Sequence, residues 1–165
     1  MFLESLNLKG LVKAQLFDCR GALKWEDEVR NLIVNQGKND ILDTYFNAGT
    51  QITTMYIGLI DNSGFSAIDA SDTHASHAGW TENEDYNEAT RVLWNPGAAA
   101  GEAVVNASAR DFTMNATAAI NGIFIAETST KGSTAATILW AATSFGTVVN
   151  VVNTDVIQIT YTVSA

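Results

Sequence analysis

The chain has 165 residues, one proline, one cysteine and a formal net charge of −9. Its length suits one domain that buries about 70% of its unfolded surface, so it folds without a disulfide or metal. The acidic balance excludes a basic nucleic-acid face and an anionic-membrane surface, and no apolar run nears the roughly 18 residues of a membrane span.

The first segment, residues 1–10, reads as an arm carrying Phe2, Leu3, Leu6 and Leu8. It has no basic stretch and no long apolar core, so a secretory signal is not expected. Either these residues are a frayed end, or they dock on a neighbouring subunit. Residues 11–165 read as a single β-sandwich domain. Residues 13–19 and 22–29 form a predicted hairpin around Arg20-Gly21, where glycine suits the tight turn. In its second arm Leu23, Trp25, Asp27 and Val29 alternate with Lys24, Glu26 and Glu28, which places one acid, Asp27, on the apolar side. The lone Cys19 rules out an intramolecular disulfide framework and points to a reducing compartment.

One short helix follows, over residues 36–46. Ile41, Leu42, Tyr45 and Phe46 recur at helical spacing, Asn35 or Asn39 can cap its start, and Asn47-Ala48-Gly49 ends it. A helix this short must be held by packing. Strands are predicted at 53–60, 90–94, 109–115, 120–127 and 137–142, separated by turn residues such as Asn62-Ser63-Gly64 and Asn95-Pro96-Gly97. The clearest strand is the last, 156–163. Ile157, Ile159, Tyr161 and Val163 share one face of it and Gln158, Thr160 and Thr162 the other. Many short strands and one helix read as an all-β sandwich or barrel.

The stretch at 61–88 is too long for a plain connection and is expected to be an ordered loop. From Lys38 to Arg91 there is no other Lys or Arg, while nine acids fall in between. Phe65, Ile68, Trp80 and Tyr86 lie within this acidic block. They are expected either to anchor a subunit or capsid contact, since interfaces are enriched in such side chains, or to fold the loop back onto its own core.

Candidate chemistry is sparse. Asp72, His74 and His77 carry carboxylate and imidazole groups that could ligate a metal. The spacing suggests no fourth ligand, so the bland reading is a polar loop that caps its own backbone. Ser76 lies between the histidines without a nucleophile elbow, and no phosphate-binding glycine loop is present. No catalytic residue, cofactor or metal is expected.

Three segments carry a resemblance: residues 31–43 (NLIVNQGKNDILD), 56–60 (YIGLI) and 72–82 (DTHASHAGWTE). In this order the chain resembles small virion structural proteins of tailed bacteriophages, some of which are decoration, or cement, proteins of the head. The resemblance covers about residues 13–91, with DTHASHAGW its most specific piece. The chain departs from the family in lacking a proline just before Arg91. The resemblance implies a jelly-roll-like antiparallel sandwich, often trimeric, on the capsid exterior and made in the bacterial cytoplasm. It implies the major capsid protein and further copies of the chain as partners, and neither nucleic acid nor membrane. A tail, fibre or adhesin module binding a host glycan or protein is the alternative.

Overall fold

A computed structural model describes residues 7–165, so Phe2, Leu3 and Leu6 of the expected arm lie outside the described residues. In chain order the elements are β1 (Lys9–Phe17), β2 (Leu23–Ile33), α1 (Asn35–Phe46), β3 (Met55–Asp61), β4 (Glu82–Asn83) and β5 (Val92–Trp94). They continue as β6 (Ala103–Val105), β7 (Arg110–Thr113), β8 (Ala118–Ala126), β9 (Leu139–Val151) and β10 (Val156–Ser164). The fold is all-β and antiparallel. The strand order is β4-β3-β8-β9-β2-β1-β10-β6, with β5 also beside β3 and β7 beside β10.

The sheet curls at one corner. There β2 and β9 share only the pairs Leu32–Ala142 and Ile33–Ala141. Beyond it the two halves face each other, in a sandwich-like arrangement. Val12, Leu16, Ile157, Ile159 and Tyr161 from one half meet Ile57, Leu59, Ile123, Ile125 and Val149 from the other in a single apolar cluster. The alternation read from the sequence of β10 is the inward row of this core.

The β1–β2 hairpin turns through Gly21 at φ +80°, and the Asp18 carboxylate accepts the N–H groups of Arg20 and Ala22. The acid on the apolar side of β2 has a partner: Asp27 accepts the Gly146 N–H at 2.7 Å, tying β2 to the middle of β9. β9 runs on to Val151, well past the expected end at residue 142, because its second part pairs with the start of β8, from Ala118–Val151 to Ile120–Val149. The short strands β4 and β6 carry too few residues for an alternation to show.

The strand β8 is buried on both faces. Ile120, Ile123 and Ile125 belong to the main core, whereas Phe124 and Ala126 belong to a second cluster with Val34, Ile60, Trp80, Leu139 and Ala142. This explains the nearly continuous apolar run of the strand. The second cluster is roofed by the long loop, from which Phe65 and Ile68 pack on it half-buried. The surface-anchor reading of the loop aromatics is therefore corrected for two of them. Trp80 is 3% exposed and Tyr86 1%, with Trp80 against Phe124 and Tyr86 against Phe112 inside the subunit. For Trp80 the physical reason is the outer face of β8, which is apolar and would otherwise stand in water, whereas Tyr86 joins the main core.

Helix α1 is held at its start, not along a face. No side chain caps it, and neither Asn35 nor Asn39 takes that role; the N-cap is Val34, whose N–H donates to the Trp140 carbonyl. Gly37 lies so close to the Trp140 carbonyl that a Cβ there would collide with it. Further along, Ile41 touches the core, but Leu42, Tyr45 and Phe46 remain exposed.

Candidate functional site

The segment with the most specific resemblance folds into a buried polar cluster between the long loop and residues 127–137. Its centre is Arg91, 2% exposed, at the approach to β5. Arg91 Nε donates to Glu82 Oε1 at 2.8 Å and Nη2 to Glu82 Oε2 at 2.7 Å, a two-pronged ion pair. Nη1 donates to His74 Nε2 at 2.8 Å and to the Thr128 carbonyl, and Nη2 also reaches the Ser133 carbonyl. All the N–H groups of a guanidinium thus have acceptors. The guanidinium carbon also lies 4.8 Å from the centre of the Phe124 ring, a cation–π contact.

His74 is 1% exposed, and its tautomer follows from its partners. Arg91 can only donate, so Nε2 is the accepting nitrogen. Nδ1 carries the proton and donates to the Ala135 carbonyl at 2.7 Å, with Thr137 Oγ1 at 3.1 Å. Desolvation by burial holds the pKa of His74 below the usual imidazole value, and the neighbouring Arg91 charge adds to that. His74 is neutral by construction.

The remaining residues of the segment also have local partners. Asp72 accepts from Trp80 Nε1 and from the Asp69 N–H, each at 3.0 Å. The His77 ring stacks on Trp80 with centroids 3.9 Å apart, and its Nδ1 lies 3.0 Å from the Trp80 carbonyl oxygen. Thr73 and Ser76 close a small turn, and Gly79 fits where a Cβ would strike the Ala67 carbonyl. Gln36 of α1 joins the assembly: its Oε1 accepts the N–H groups of His74 and Leu139 and its Nε2 donates to the Thr137 carbonyl.

The two histidines and Asp72 therefore point to different partners. Among the described residues no three His, Cys, Asp or Glu side chains converge as a metal-ligand set. A recess of about 230 Å³ borders His74, His77, Trp80, Glu82 and Arg91, smaller than the roughly 300 Å³ at which small-molecule pockets begin. One guanidinium ties residues 74, 82, 128 and 133 together and clamps the long loop over the second core.

Sequence reasoning placed His74, His77, Asp72 and Trp80 in one segment but missed Arg91, Glu82 and Gln36 as their partners. A signal existed for one of them. Arg91 is the first cation after Lys38, at the end of an acidic block, and a lone counter-charge in that position is a candidate for burial. A second polar knot lies in the main core. The Tyr161 hydroxyl accepts from Asn31 Nδ2 at 2.8 Å and from Trp140 Nε1 at 3.2 Å, while Asn106 bonds the Tyr161 N–H and the Ile159 carbonyl. Burial pushes the Tyr161 hydroxyl up to about 12.

Comparison with protein-family models and with curated proteins returned no match for this chain.

Proposed function

We propose that this protein is a structural component of a virion, a decoration protein that binds the outside of a phage head and stabilises contacts between capsid subunits. The observation that carries the architectural part of this reading is the saturation of the Asp72–Arg91 cluster. The residue types that suggested chemistry are engaged in holding the loop to the sheet. The resemblance of residues 13–91 to small phage virion proteins supports the head assignment. A rigid, acidic, all-β subunit suits repeated attachment to a symmetric shell. Binding only the assembled shell stabilises it by mass action, and many copies let modest contacts add up. Its partners in this reading are the major capsid protein and further copies of itself, as a trimer.

Incubating the purified protein with undecorated heads, followed by sedimentation and copy counting, tests this. Saturable occupancy in hundreds of copies and a raised rupture temperature of the heads are expected. No co-sedimentation, or a few copies confined to tails, would overturn it and favour a tail or fibre module. Stoichiometric metal in the purified protein, lost in His74→Ala, would favour an enzyme.

A further inference from the structure

Residues 66–80 form a flap on the second cluster. Its base is closed by the Ser66 N–H, which donates to the Gly79 carbonyl at 2.8 Å, and inside it Asp72 joins the Asp69 N–H to the Trp80 indole. Its apolar contacts, Ile68 and Trp80, belong to the second cluster, and no residue of the flap belongs to the main one. Its polar ties to the other described residues are few. The Ala70 carbonyl accepts the Asn35 N–H at 2.8 Å, and every other tie runs through His74. The His74 N–H donates to Gln36 Oε1, Nδ1 meets the Ala135 carbonyl and the Thr137 hydroxyl, and Nε2 accepts from Arg91.

We propose that His74 is an acid-operated latch: a second proton on its ring releases residues 66–80 from the second cluster as one unit, while the main core stays folded. The first reason is the donor count. With Nδ1–H directed at the Ala135 carbonyl, the nitrogen left for a second proton is Nε2, which lies 2.8 Å from a guanidinium nitrogen of Arg91. Two donors would then face each other, and the bond is lost. Charge and burial act in the same direction. Desolvation is the largest influence against a charged ring; the Ala135 hydrogen bond favours the proton, Arg91 and His77 oppose it, and Glu82, already paired with Arg91, favours it. Gln36 and Thr137, which also touch His74, carry no charge. An imidazolium finds an acceptor for its new N–H in water, and to reach water it must leave the pocket. When it leaves, one polar tie of the flap remains, from Ala70 to Asn35. Gly64, at φ +73° with open space around it, supplies a hinge just before the flap. The main core loses none of its members, so the opening is local.

Hydrogen exchange by NMR on the full chain tests this. The Asn35 and His74 N–H groups report release, because their acceptors lie across the flap boundary, and the Tyr161 N–H, bonded to Asn106 in the main core, reports global unfolding. The two latch amides should be less protected than Tyr161 and nearly insensitive to low denaturant, as a local opening is. Below pH 6.5 their protection factors, which correct for the intrinsic pH dependence of exchange, should fall about tenfold per pH unit until the ring is protonated in the closed form. His74→Gln keeps a donor and an acceptor but takes up no proton, and should make the protection independent of pH. At neutral pH the ring nitrogen chemical shifts of the natural chain should show hydrogen on Nδ1 and not on Nε2, a measurement that needs no variant. Equal protection and equal denaturant slope for all three amides would overturn the proposal, since the flap then opens only with the whole domain. No fall in protection below pH 6.5, a fall that persists in His74→Gln, or hydrogen on Nε2 at neutral pH would also overturn it.

Discussion

Replacing Glu82 by Gln removes the one carboxylate that pairs with Arg91 among the described residues, while keeping the side-chain shape. The pair is buried on both sides, with side chains 2% and 6% exposed and 2.7 Å between Nη2 and Oε2. In water such a pair contributes at most about 1 kcal/mol, but removing one partner of a buried pair costs about 3–5 kcal/mol because the other charge is stranded. The amide also presents an NH₂ where Glu82 Oε2 now accepts the Gly132 N–H at 2.7 Å, so a second bond is lost. A domain of this size is typically stable by about 5–15 kcal/mol, so the variant should keep its fold with a much reduced margin. At about 2–4 °C per kcal/mol, its melting temperature should fall by roughly 6–20 °C. Guanidinium titration followed by tryptophan fluorescence measures this, and Trp80 reports from the same loop. Glu82→Gln combined with Arg91→Met, which removes both charges, should recover part of the loss. A drop below about 1 kcal/mol for Glu82→Gln alone would show that the cluster is solvated and that the loop is not clamped by this pair.

Acid should loosen the same cluster through His74. Its folded pKa is depressed below the ordinary 6.5, so its contribution is complete above pH 6.5 and is lost as pH falls below 6.5 towards the folded value. Unfolding free energy should decline there by up to about 1.4 kcal/mol per pH unit, and His74→Gln should flatten the profile; an unchanged slope in the variant refutes the assignment. Trp80→Ala empties the second core and should cost about 3–5 kcal/mol, measured by denaturant titration, with Phe124 amides losing hydrogen-exchange protection before those of Tyr161. Tyr161→Phe leaves the N–H groups of Asn31 and Trp140 without their acceptor and should cost about 1–3 kcal/mol by the same titration. Gly37→Ala drives a methyl into the Trp140 carbonyl, so thermal melting should show a loss larger than the gain of up to about 1 kcal/mol that Ala brings to a helix interior.

Local regularities in the sequence determined the elements. The period-two rows of β10 and β2, the glycine at the hairpin turn and the helical spacing after Gly37 are set by residues close in the chain, and each stands where its own pattern indicates. Length and turn chemistry likewise determined that the stretch from 61 to 88 is built rather than slack. Only the tertiary structure decided which way its aromatics face. A Trp or Tyr in an acidic loop has the same local pattern whether it meets a partner or its own sheet. The difference lies in parts of the sheet distant in sequence: the outer face of β8, where Phe124 and Ala126 need cover from Trp80, and Phe112 of the main core, which meets Tyr86. The helix shows the converse. Its spacing suggested a buried stripe, yet it is anchored through Gln36 and Gly37 and leaves Leu42, Tyr45 and Phe46 in the open, because β9 meets it only at its first turn. The Arg91 cluster was beyond sequence reading for the same reason. Its partners come from two segments far apart in the chain, 74 and 82 from one and 128 and 133 from the other, and a buried charge is specified by the fold that removes water from it, not by its neighbours in the chain.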